Sequence, residues 1–571
     1  MTDKLTEYRS GAGALPKTSV LWPLYGAGFE NLGRDGKPIE EPMPECGPDE
    51  LLIRHDACGL CFSDVKVIRA GQNHPRVLRD MQKEPVVLGH EVTMTVVGVG
   101  EDLRDEYKVG DRFIVQSDIY VNGVNLAYGY MIQGAVSQYS VIDQRVLNGD
   151  GGNYLIRVRP ETGYAESALI EPWTTVITAY HLKYRSALKP GGTLWVIGTD
   201  AAAGRPYTIG AGFDEASHPD RLLLTRVPAA FADWLTERAQ ALGMAVEQVD
   251  DVTSVPAESV DDIVVLGADT DLVEQANPAL AYLGIMAILM DTPLERALNI
   301  DVGRIHYNRW LYVCGAETDV AQVYSRVPTR AELRPGGRTW FVGAGGPMGR
   351  IHVQRALQLA NPPQTIICTD ISDFRLDDLR GTFSDEARNR GIEFICLNPM
   401  NKESYAEAMG RFKEQGFDDI VVLAPVPAVI SDAATYLAPQ GVMNIFAGVV
   451  RGTIAQLDLN AACSKDVRFI GHSGLTTEDM RLALQLTEAG DVSPDRLVAA
   501  VGSIGAAKEG WQAVQDAVFS GKVVIYMHIK DMPLTPIEEL KDILPSVYAK
   551  MKDGREWNKA AEDEFLRLML L

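Results

Sequence analysis

The stretch RPGGRTWFVGAGGPMGR at residues 334–350 predicts the fold of the chain's second half. Its apolar run WFV predicts a buried strand, its glycines a tight turn, and the following RIHVQRALQLA an apolar-periodic helix. This order is typical of a dinucleotide-binding α/β domain, because glycines let the backbone approach a pyrophosphate and a helix N-terminus attracts anions. The predicted cofactor-binding loop consists of Gly343, Gly345, Gly346, Pro347, Met348 and Gly349.

A carboxylate follows this loop at the expected distance. The next strand, QTIICTD, ends at Asp370, about 20 residues on, where an acidic side chain would bind the ribose hydroxyls of NAD. Because a carboxylate would repel a 2′-phosphate, Asp370 favours NAD over NADP. Arg375 lies close enough in sequence to contact a 2′-phosphate, which leaves NADP as an alternative.

An earlier stretch repeats the same pattern. KPGGTLWVIGTDAAAGR at residues 189–205 matches residues 334–350 in register, at a separation of 145 residues. The hexamer DDIVVL also occurs twice, at residues 261–266 and 418–423. We infer a duplication that produced two α/β domains in tandem, the first copy (residues 181–320) and the second copy (residues 321–495).

The first copy lacks the residues that a dinucleotide needs. Asp200 stands where the second copy has Gly345, and Thr225 stands 145 residues before Asp370. A carboxylate would repel the pyrophosphate, and its Cβ would block the close backbone approach. The first copy is therefore predicted not to bind NAD, and to act as a structural or oligomer-forming element or to shape the substrate entrance.

The N-terminal third contains metal-ligand residue types in the order that a catalytic zinc site needs. Cys61, His90 and Glu171 are the first candidates. A catalytic zinc takes three protein ligands from Cys, His, Asp or Glu and keeps one position open for substrate or water. The motifs that carry these residues are CGLCFSDVKVIRAG (residues 58–71), EPVVLGHE (84–91) and ALIEPW (168–173).

Cys58 and Cys61 are also compatible with two other kinds of site. A Cys-x-x-Cys pair is also typical of half a zinc knuckle or of a redox dithiol. The seven cysteines include no second close pair that would complete a four-cysteine site. A redox pair would normally open a helix in a thioredoxin-like unit, and the segments around it do not predict that context. A mononuclear catalytic site is preferred.

These residues resemble the medium-chain zinc-dependent alcohol dehydrogenase family, in its sorbitol and threonine dehydrogenase branch. GLCFSD, GHE, VGVGEDLRDEYKVGDRF and ALIEPW carry the resemblance. It implies zinc ligation by Cys61 and His90, with Glu171 as third ligand and Glu91 as a carboxylate able to exchange with Glu171. Many relatives carry a four-cysteine structural zinc lobe where residues 116–139 contain no cysteine. One catalytic zinc and no structural zinc are expected.

The neighbours of the ligands have predicted roles. Asp64 would accept the second ring N–H of His90, as carboxylates commonly do behind a ligating histidine. Ser63 resembles the family hydroxyl that takes the substrate proton, and its spacing from Cys61 predicts a shared side of an extended segment. Lys66 stands where many relatives have a histidine that passes the substrate proton on. Three roles stay open for it: a base, a contact to a phosphate or ribose, or an exposed residue without a role in the site.

Composition limits the class of protein. The chain has 571 residues, too many for one core, and a formal net charge of -23, which disfavours nucleic acid or anionic membranes as partners. No apolar run approaches the roughly 20 residues of a membrane span, and the N-terminus lacks an apolar signal core. A cytoplasmic enzyme with a small-molecule substrate is expected, and the family resemblance implies a homodimer or homotetramer.

The predicted fold class is α/β, with a mostly β GroES-like catalytic domain and two tandem Rossmann-type doubly wound parallel sheets. The catalytic domain would span residues 1–180 and be completed by about 496–535. Residues 536–571 would form a helical tail, in which Thr535-Pro536-Ile537-Glu538 predicts the start of a packing helix.

The predicted activity is reversible hydride transfer between NAD and a secondary alcohol, namely a polyol, a sugar alcohol or a sugar phosphate. The segment AGQNHPRVLRDMQKE holds Arg76 and Arg79, which would bind a phosphate or lie in a solvated loop. Three alternatives stay open: an NADP-dependent keto-sugar reductase, a non-hydride zinc enzyme such as a lyase, and a non-catalytic binding protein.

Overall fold

The computed structural model describes residues 4–327, 330–472 and 474–571. The chain divides into two compact units. The β-rich unit comprises the residues up to 177 together with 346–351 and 474–571. The two-copy unit comprises residues 178–345 and 352–472 and contains both α/β copies.

The N-terminal part of the β-rich unit is built from short strands and few helices. Its strands are β1 (Thr18–Leu21), β2 (Pro23–Leu24), β3 (Ile39–Pro42), β4 (Leu51–Gly59), β5 (Val86–Val87), β6 (Glu91–Val99), β7 (Arg112–Val115), β8 (Tyr120–Val121), β9 (Val124–Asn125), β10 (Tyr139–Ile142) and β11 (Leu155–Val158). Its helices are α1 (Lys4–Ser10), α2 (Phe62–Ala70), α3 (Gln144–Leu147), α4 (Tyr164–Ala168) and α5 (Ile170–Ala179).

The first copy follows. Its strands are β12 (Thr193–Gly198), β13 (Arg221–Thr225), β14 (Ala245–Gln248), β15 (Val260–Leu266), β16 (Leu280–Leu289), β17 (Leu298–Asp301) and β18 (Leu311–Gly315). Its helices are α6 (Ala229–Ala241), α7 (Thr270–Ala276), α8 (Val302–Asn308) and α9 (Val320–Tyr324).

The second copy repeats this order of strands. Its strands are β19 (Arg338–Val342), β20 (Thr365–Thr369), β21 (Glu393–Leu397), β22 (Phe417–Val422), β23 (Leu437–Ile445), β24 (Ile454–Leu457) and β25 (Arg468–Ile470). Its helices are α10 (Pro347–Gln358), α11 (Asp373–Asn389), α12 (Lys402–Gln415), α13 (Pro427–Ala434) and α14 (Leu459–Ser464).

The C-terminal part returns to the β-rich unit. It contains α15 (Thr477–Ala489), β26 (Val498–Ser503), α16 (Ala507–Gln515), β27 (Lys522–Tyr526), β28 (Thr535–Pro536), α17 (Leu540–Ile543), α18 (Pro545–Tyr548) and α19 (Lys559–Met569). Within the described residues, β27 pairs with β4, which completes an eight-stranded sheet of order β11-β7-β6-β4-β27-β26-β28 with β10 also on β4. The chain's two ends thus build one sheet.

The two copies have the same sheet topology. The described strands form two six-stranded parallel sheets, β14-β13-β12-β15-β16-β18 and β21-β20-β19-β22-β23-β25. When the strands are numbered within each sheet, which leaves out β17 and β24, both sheets follow the doubly wound order 3-2-1-4-5-6. The predicted fold class is confirmed: a GroES-like β domain accompanies two Rossmann-type sheets.

The copies differ after their first strand. In the second copy α10 follows the glycine turn, whereas residues 199–220 of the first copy, all of them described, contain a short 3-10 turn and no α-helix. That segment, TDAAAGRPYTIGAGFDEASHPD, has no apolar helical period and is broken by glycine and proline. The first copy therefore has no helix N-terminus at this point to attract an anion.

One local prediction is wrong. Thr535 does not begin a helix, because Thr535–Pro536 pairs as β28 with β26. Pro545 then separates α17 from α18. The buried apolar residues Ile537, Leu540 and Val547 therefore lie on several short elements and not on one helix. Tertiary pairing overrides the capping pattern here.

Two buried imidazoles in the β-rich unit predict acid sensitivity. Burial lowers the pKa of His55 to about 4 and that of His528 to about 3. Below the ordinary histidine pKa of 6.5 the unfolded chain binds these protons and the folded chain does not. The two histidines therefore do not reduce the free energy of unfolding above pH 6.5. Below it, this free energy falls as the pH drops toward 4.

We expect His528→Gln to reduce this loss. Between pH 7.5 and 5.5 the variant should lose about 1.4 kcal/mol less unfolding free energy than the wild type. Urea unfolding at both pH values measures the difference. Glutamine can keep the contact of the ring Nε2 with the Gln138 carbonyl, so an equal loss in both proteins would contradict the prediction.

Candidate functional site

Three candidate metal ligands meet where β4 ends and β6 begins. One donor atom each from Cys61, His90 and Glu91 lies within 4.8 Å of the others. The sheet explains the meeting, since β4 and β6 are antiparallel neighbours and Gly59 pairs with Glu91. His90 is 7% exposed and Glu91 0%.

Asp64 orients His90. Its carboxylate lies 3.1 Å from His90 Nδ1 and accepts hydrogen bonds from Trp511 Nε1 at 3.1 Å and from the Cys61 backbone N–H at 3.2 Å. Burial opposes both charges, yet Asp64 raises the pKa of His90 well above its ordinary value and His90 lowers that of Asp64. His90 Nδ1 is thus engaged in a hydrogen bond with Asp64.

Ser63 and Lys66 lie on a helix, so the predicted extended segment is wrong. Cys61 caps α2: its Sγ accepts the Ser63 N–H at 3.5 Å, and Asp64 reaches back to the Cys61 N–H, which forms a capping box. Ser63 Oγ lies 3.5 Å from Cys61 Sγ, so the two side chains still meet. Lys66 is exposed one turn further along α2.

A buried lysine that sequence reasoning missed completes the cluster. Lys522 Nζ donates to the Glu91 carboxylate and to the Leu60 carbonyl at 3.3 Å. Although burial opposes its charge, Glu91 raises the pKa of Lys522. Its sequence signal was a single lysine at the start of the apolar strand KVVIY.

Gly59 makes room for this pair. It lies between Glu91 on β6 and Val524 on β27. A Cβ at Gly59 would collide with Glu91 Oε2, an oxygen that is buried and makes no hydrogen bond with the described residues. The absence of a side chain therefore lets the Glu91 carboxylate enter the site.

Glu171 lies outside the group of three. It is half-buried near the start of α5, and Ser117 Oγ lies 3.3 Å from its Oε1. Burial raises the pKa of Glu171 to about 7, which Glu91 also favours, while His90 and Lys522 act in the opposite direction. Glu171 is thus within electrostatic reach of the cluster.

Tyr130 connects the cluster to the basic segment. Its ring centroid lies 6.3 Å from that of His90, and the Arg76 guanidinium lies 5.1 Å from the Tyr130 centroid. Arg76 also forms an ion pair with Asp118, and Arg79 donates to the Met131 carbonyl. Sequence reasoning did not find Tyr130, which comes from the cysteine-free residues 116–139.

The cofactor loop of the second copy needs its glycines. Gly343 has φ +81°, and a Cβ at Gly345 would lie 2.7 Å from both Asp370 Oδ2 and Arg375 Cβ. Asp370 accepts the Gly345 N–H at 2.9 Å and the Ser372 N–H at 3.0 Å. The loop and the carboxylate therefore form one hydrogen-bonded structure.

The rest of the predicted loop starts a helix. Pro347 is the first residue of α10, with Met348 and Gly349 in its first turn. Proline is favoured there, since its missing N–H has no intrahelical partner to lose. Gly346, just before the helix, has no described heavy atom within 4 Å of the place a Cβ would take.

The structure changes which residue of the first copy is equivalent to Asp370. Trp195 donates to Thr225 Oγ1 at 2.9 Å, as Trp340 does to Thr369 Oγ1 at 3.0 Å. Thr225 is therefore equivalent to Thr369, and Arg226 stands in the place of Asp370. The connection from β12 to β13 is one residue longer than its counterpart, which shifts the alignment.

The fold combines a GroES-like domain with two nucleotide-type sheets. Residues 47–148 match the alcohol dehydrogenase GroES-like domain family. The predicted resemblance to the medium-chain alcohol dehydrogenases is confirmed, and the chain is an oxidoreductase.

Relatives extend the similarity over most of the chain. It is 23% identical over 541 residues to mannitol-1-phosphate 5-dehydrogenase of Aliivibrio fischeri, covering 92% of this chain and 93% of that protein. It is 22% identical over 532 residues to L-sorbose 1-phosphate reductase of Klebsiella pneumoniae, covering 92% of each. The structure of 2R,3R-butanediol dehydrogenase from Bacillus subtilis aligns with 16% identity and a TM-score of 0.48, covering 89% of this chain and 99% of that one.

No helix in the described parts of the chain combines the length and apolar character that crossing a membrane requires.

Proposed function

We propose that this chain is a zinc-dependent, NAD-linked oxidoreductase that interconverts a secondary alcohol of a polyol or sugar phosphate and the matching ketone. The observation that carries the proposal is the convergence of Cys61, His90 and Glu91, with Asp64 behind His90. Two relatives that align over 92% of the chain are named for sugar phosphates and for opposite reaction directions. A cytoplasmic location fits the same reading.

The donor set fits zinc. A thiol, an imidazole and a carboxylate are ligands that zinc accepts in catalytic sites, and Glu91 Oε2 is a buried oxygen without a hydrogen bond among the described residues. Cys61, His90 and Glu91 would hold the ion, with Glu171 as the carboxylate that exchanges with Glu91. When bound, zinc supplies a Lewis acid that favours loss of the substrate's hydroxyl proton.

The chain's own residues would orient the substrate and move that proton. Ser63 Oγ, beside Cys61, would accept the hydroxyl proton. Ser63 would release its own hydroxyl proton at the same time, and Lys66, three residues along α2 on the same side of the helix, is exposed, so this face of the helix would lead that proton to solvent. Asp64 keeps the His90 ring in place by occupying Nδ1, which is how carboxylates commonly support metal-binding histidines.

The loop of the second copy would bind the nicotinamide cofactor, which supplies the hydride acceptor. Gly343, Gly345 and Gly346 would admit the pyrophosphate, the first turn of α10 would face it, and Asp370 would bind the ribose hydroxyls. Arg375 is the neighbouring cation that would tolerate a 2′-phosphate. The first copy has Asp200 in place of Gly345, Arg226 in place of Asp370 and no α-helix after its first strand, so one cofactor per chain is proposed.

Asp370→Ala should raise the KM for NAD about 10- to 100-fold, because charge-assisted hydrogen bonds to the ribose are lost. NADP should lose less, since its 2′-phosphate no longer meets a carboxylate. Steady-state kinetics with both cofactors measures the change. Asp377→Ala, an exposed acid on the helix α11 that follows Asp370, is the matched control, and equal effects of the two substitutions would contradict the assignment.

The basic segment would bind the substrate phosphate. Arg76→Ala and Arg79→Ala should each lower kcat/KM for a polyol phosphate about tenfold or more, because a charged hydrogen bond is lost. The unphosphorylated polyol should be little affected. Lys83→Ala in the same segment, an exposed residue, serves as control. Equal losses for both substrates would show that the arginines only support the fold.

The experiment that tests the proposed function combines zinc analysis with NADH formation. The panel contains polyols, sugar alcohols and their phosphates. One zinc per chain and polyol-dependent NADH formation are expected. Zinc without NADH formation under any condition would favour the lyase alternative, and NADPH-specific ketone reduction the reductase alternative. A protein without zinc would refute the proposed site.

A further inference from the structure

The two copies contact each other through equivalent strands. The repeated hexamers Asp261–Leu266 and Asp418–Leu423 are 157 residues apart, and the strand registers keep this separation: Ile285 pairs with Leu311 as Val442 pairs with Arg468. By the same separation β17 is equivalent to β24. These two strands pair with each other, antiparallel, and so join the copies.

The register of this pairing is reciprocal. Asn299 lies opposite Gln456, which is its own equivalent 157 residues on. Leu298 lies opposite Leu457, the equivalent of Ile300, while Ile300 lies opposite Ala455, the equivalent of Leu298. Contacts of i with j and of j with i define an isologous interface around a two-fold axis. A pseudo-two-fold axis therefore passes between Asn299 and Gln456.

The helices beside these strands follow the same reciprocity. Cys314 of β18 contacts the Leu459 carbonyl of α14 at 3.4 Å and hydrogen-bonds with Cys463 on that helix. The equivalents of Cys314 and Cys463 are Gly471 and His306. They also meet, since a Cβ at Gly471 would lie 2.9 Å from the His306 Cα. The contact between Cys314 and Cys463 therefore has an equivalent, between Gly471 and His306, in which the two copies exchange roles.

The interface is apolar and continuous with both sheets. Leu298, Ile300 and Leu457 are fully buried, and one hydrophobic cluster runs from Trp195 in the first copy to Trp340 in the second. Interfaces of permanent dimers resemble a domain core cut in half in just this way. Neither copy could expose this surface without loss of stability.

We propose that the first copy serves as a built-in dimer partner of the second, so that the two form an isologous pseudo-dimer within one chain. The first copy has replaced its phosphate loop by residues 199–220, yet it keeps the strands and helices that cover the second copy. This surface is therefore closed to association between chains, and any assembly of whole chains uses other surfaces. The inference does not depend on zinc, cofactor or substrate.

Cysteine pairs across the axis test it in the full chain. Asn299 and Gln456 are exposed and directly opposed, so Asn299→Cys/Gln456→Cys should form a disulfide under mild oxidation with oxidised glutathione. We expect a cross-link within one chain, seen as a single-chain band on non-reducing electrophoresis and as a linked 299–456 peptide by mass spectrometry.

Three kinds of control show whether the cross-link reports the predicted register. The pair Asn299→Cys/Ile454→Cys is out of register and exposed, and it should cross-link at least about tenfold more slowly. The wild type shows any cross-link between the native Cys314 and Cys463. Each single-cysteine variant shows how much cross-linking arises from random oxidation. A 299–456 link between two chains would mean that the copies pair across chains, and a slow or absent link would mean that the reciprocal register does not exist. Either result overturns the proposal.

Discussion

Cys61→Ser should abolish zinc binding and lower NAD-dependent alcohol oxidation by about three orders of magnitude or more. A serine hydroxyl remains protonated where a cysteine thiolate would bind the metal, so the site loses its anionic sulfur ligand. Loss of several kcal/mol of Lewis-acid stabilisation corresponds to a rate loss of this size. Zinc content by elemental analysis and initial rates of NADH formation, from one preparation, check both expectations.

A matched control separates this effect from the loss of any thiol. Cys46→Ser removes a half-buried thiol that donates to the Gly47 and Glu50 carbonyls and is not among the candidate metal ligands. This variant should keep zinc and activity. If Cys61→Ser also kept both, neither the metal site nor the activity proposed for it could stand.

Lys522→Met should destabilise the metal-free β-rich unit by about 3–5 kcal/mol, because it leaves the buried Glu91 carboxylate without its cation. Glu91→Gln/Lys522→Met removes both charges and should recover most of the loss. Urea unfolding in the presence of a chelator measures the change, and tryptophan fluorescence is a suitable probe because Trp511 donates to Asp64.

The control for this substitution is Lys541→Met, an exposed lysine of α17 in the same unit, which should change stability by less than about 0.5 kcal/mol. A loss below about 1 kcal/mol for Lys522→Met would mean that the buried pair contributes little. In the zinc-loaded protein the effect should be smaller, since the metal then compensates the carboxylate.

Local motifs predicted the parts of the site that are close in sequence. Cys61, Asp64 and His90 lie within two short motifs, and the structure brings them together. Lys522 and Trp511 come from the far end of the chain, 431 and 447 residues from their partners. The pairing of β27 with β4 places Lys522 there, and the packing of α16 against α2 places Trp511. No local pattern encodes either contact.

The duplication was predictable, but its details were not. Repeated glycines and hexamers indicated two copies, and both sheets have the expected order. The sequence spacing wrongly matched Thr225 to Asp370, because it could not reveal the extra residue between β12 and β13. It also did not predict that α2 begins directly after Cys61, since capping through a cysteine thiol is outside the usual set of capping residues.

The reciprocal interface frees the two halves of the chain to diverge. In a dimer of identical subunits every substitution enters the interface twice, so a change must suit both related positions. Here each position mutates alone: one side of the axis holds Cys314 with Cys463, and the related contact holds Gly471 with His306. A single gene can therefore optimise one half for chemistry and the other for support, a division of labour that a symmetric assembly does not permit.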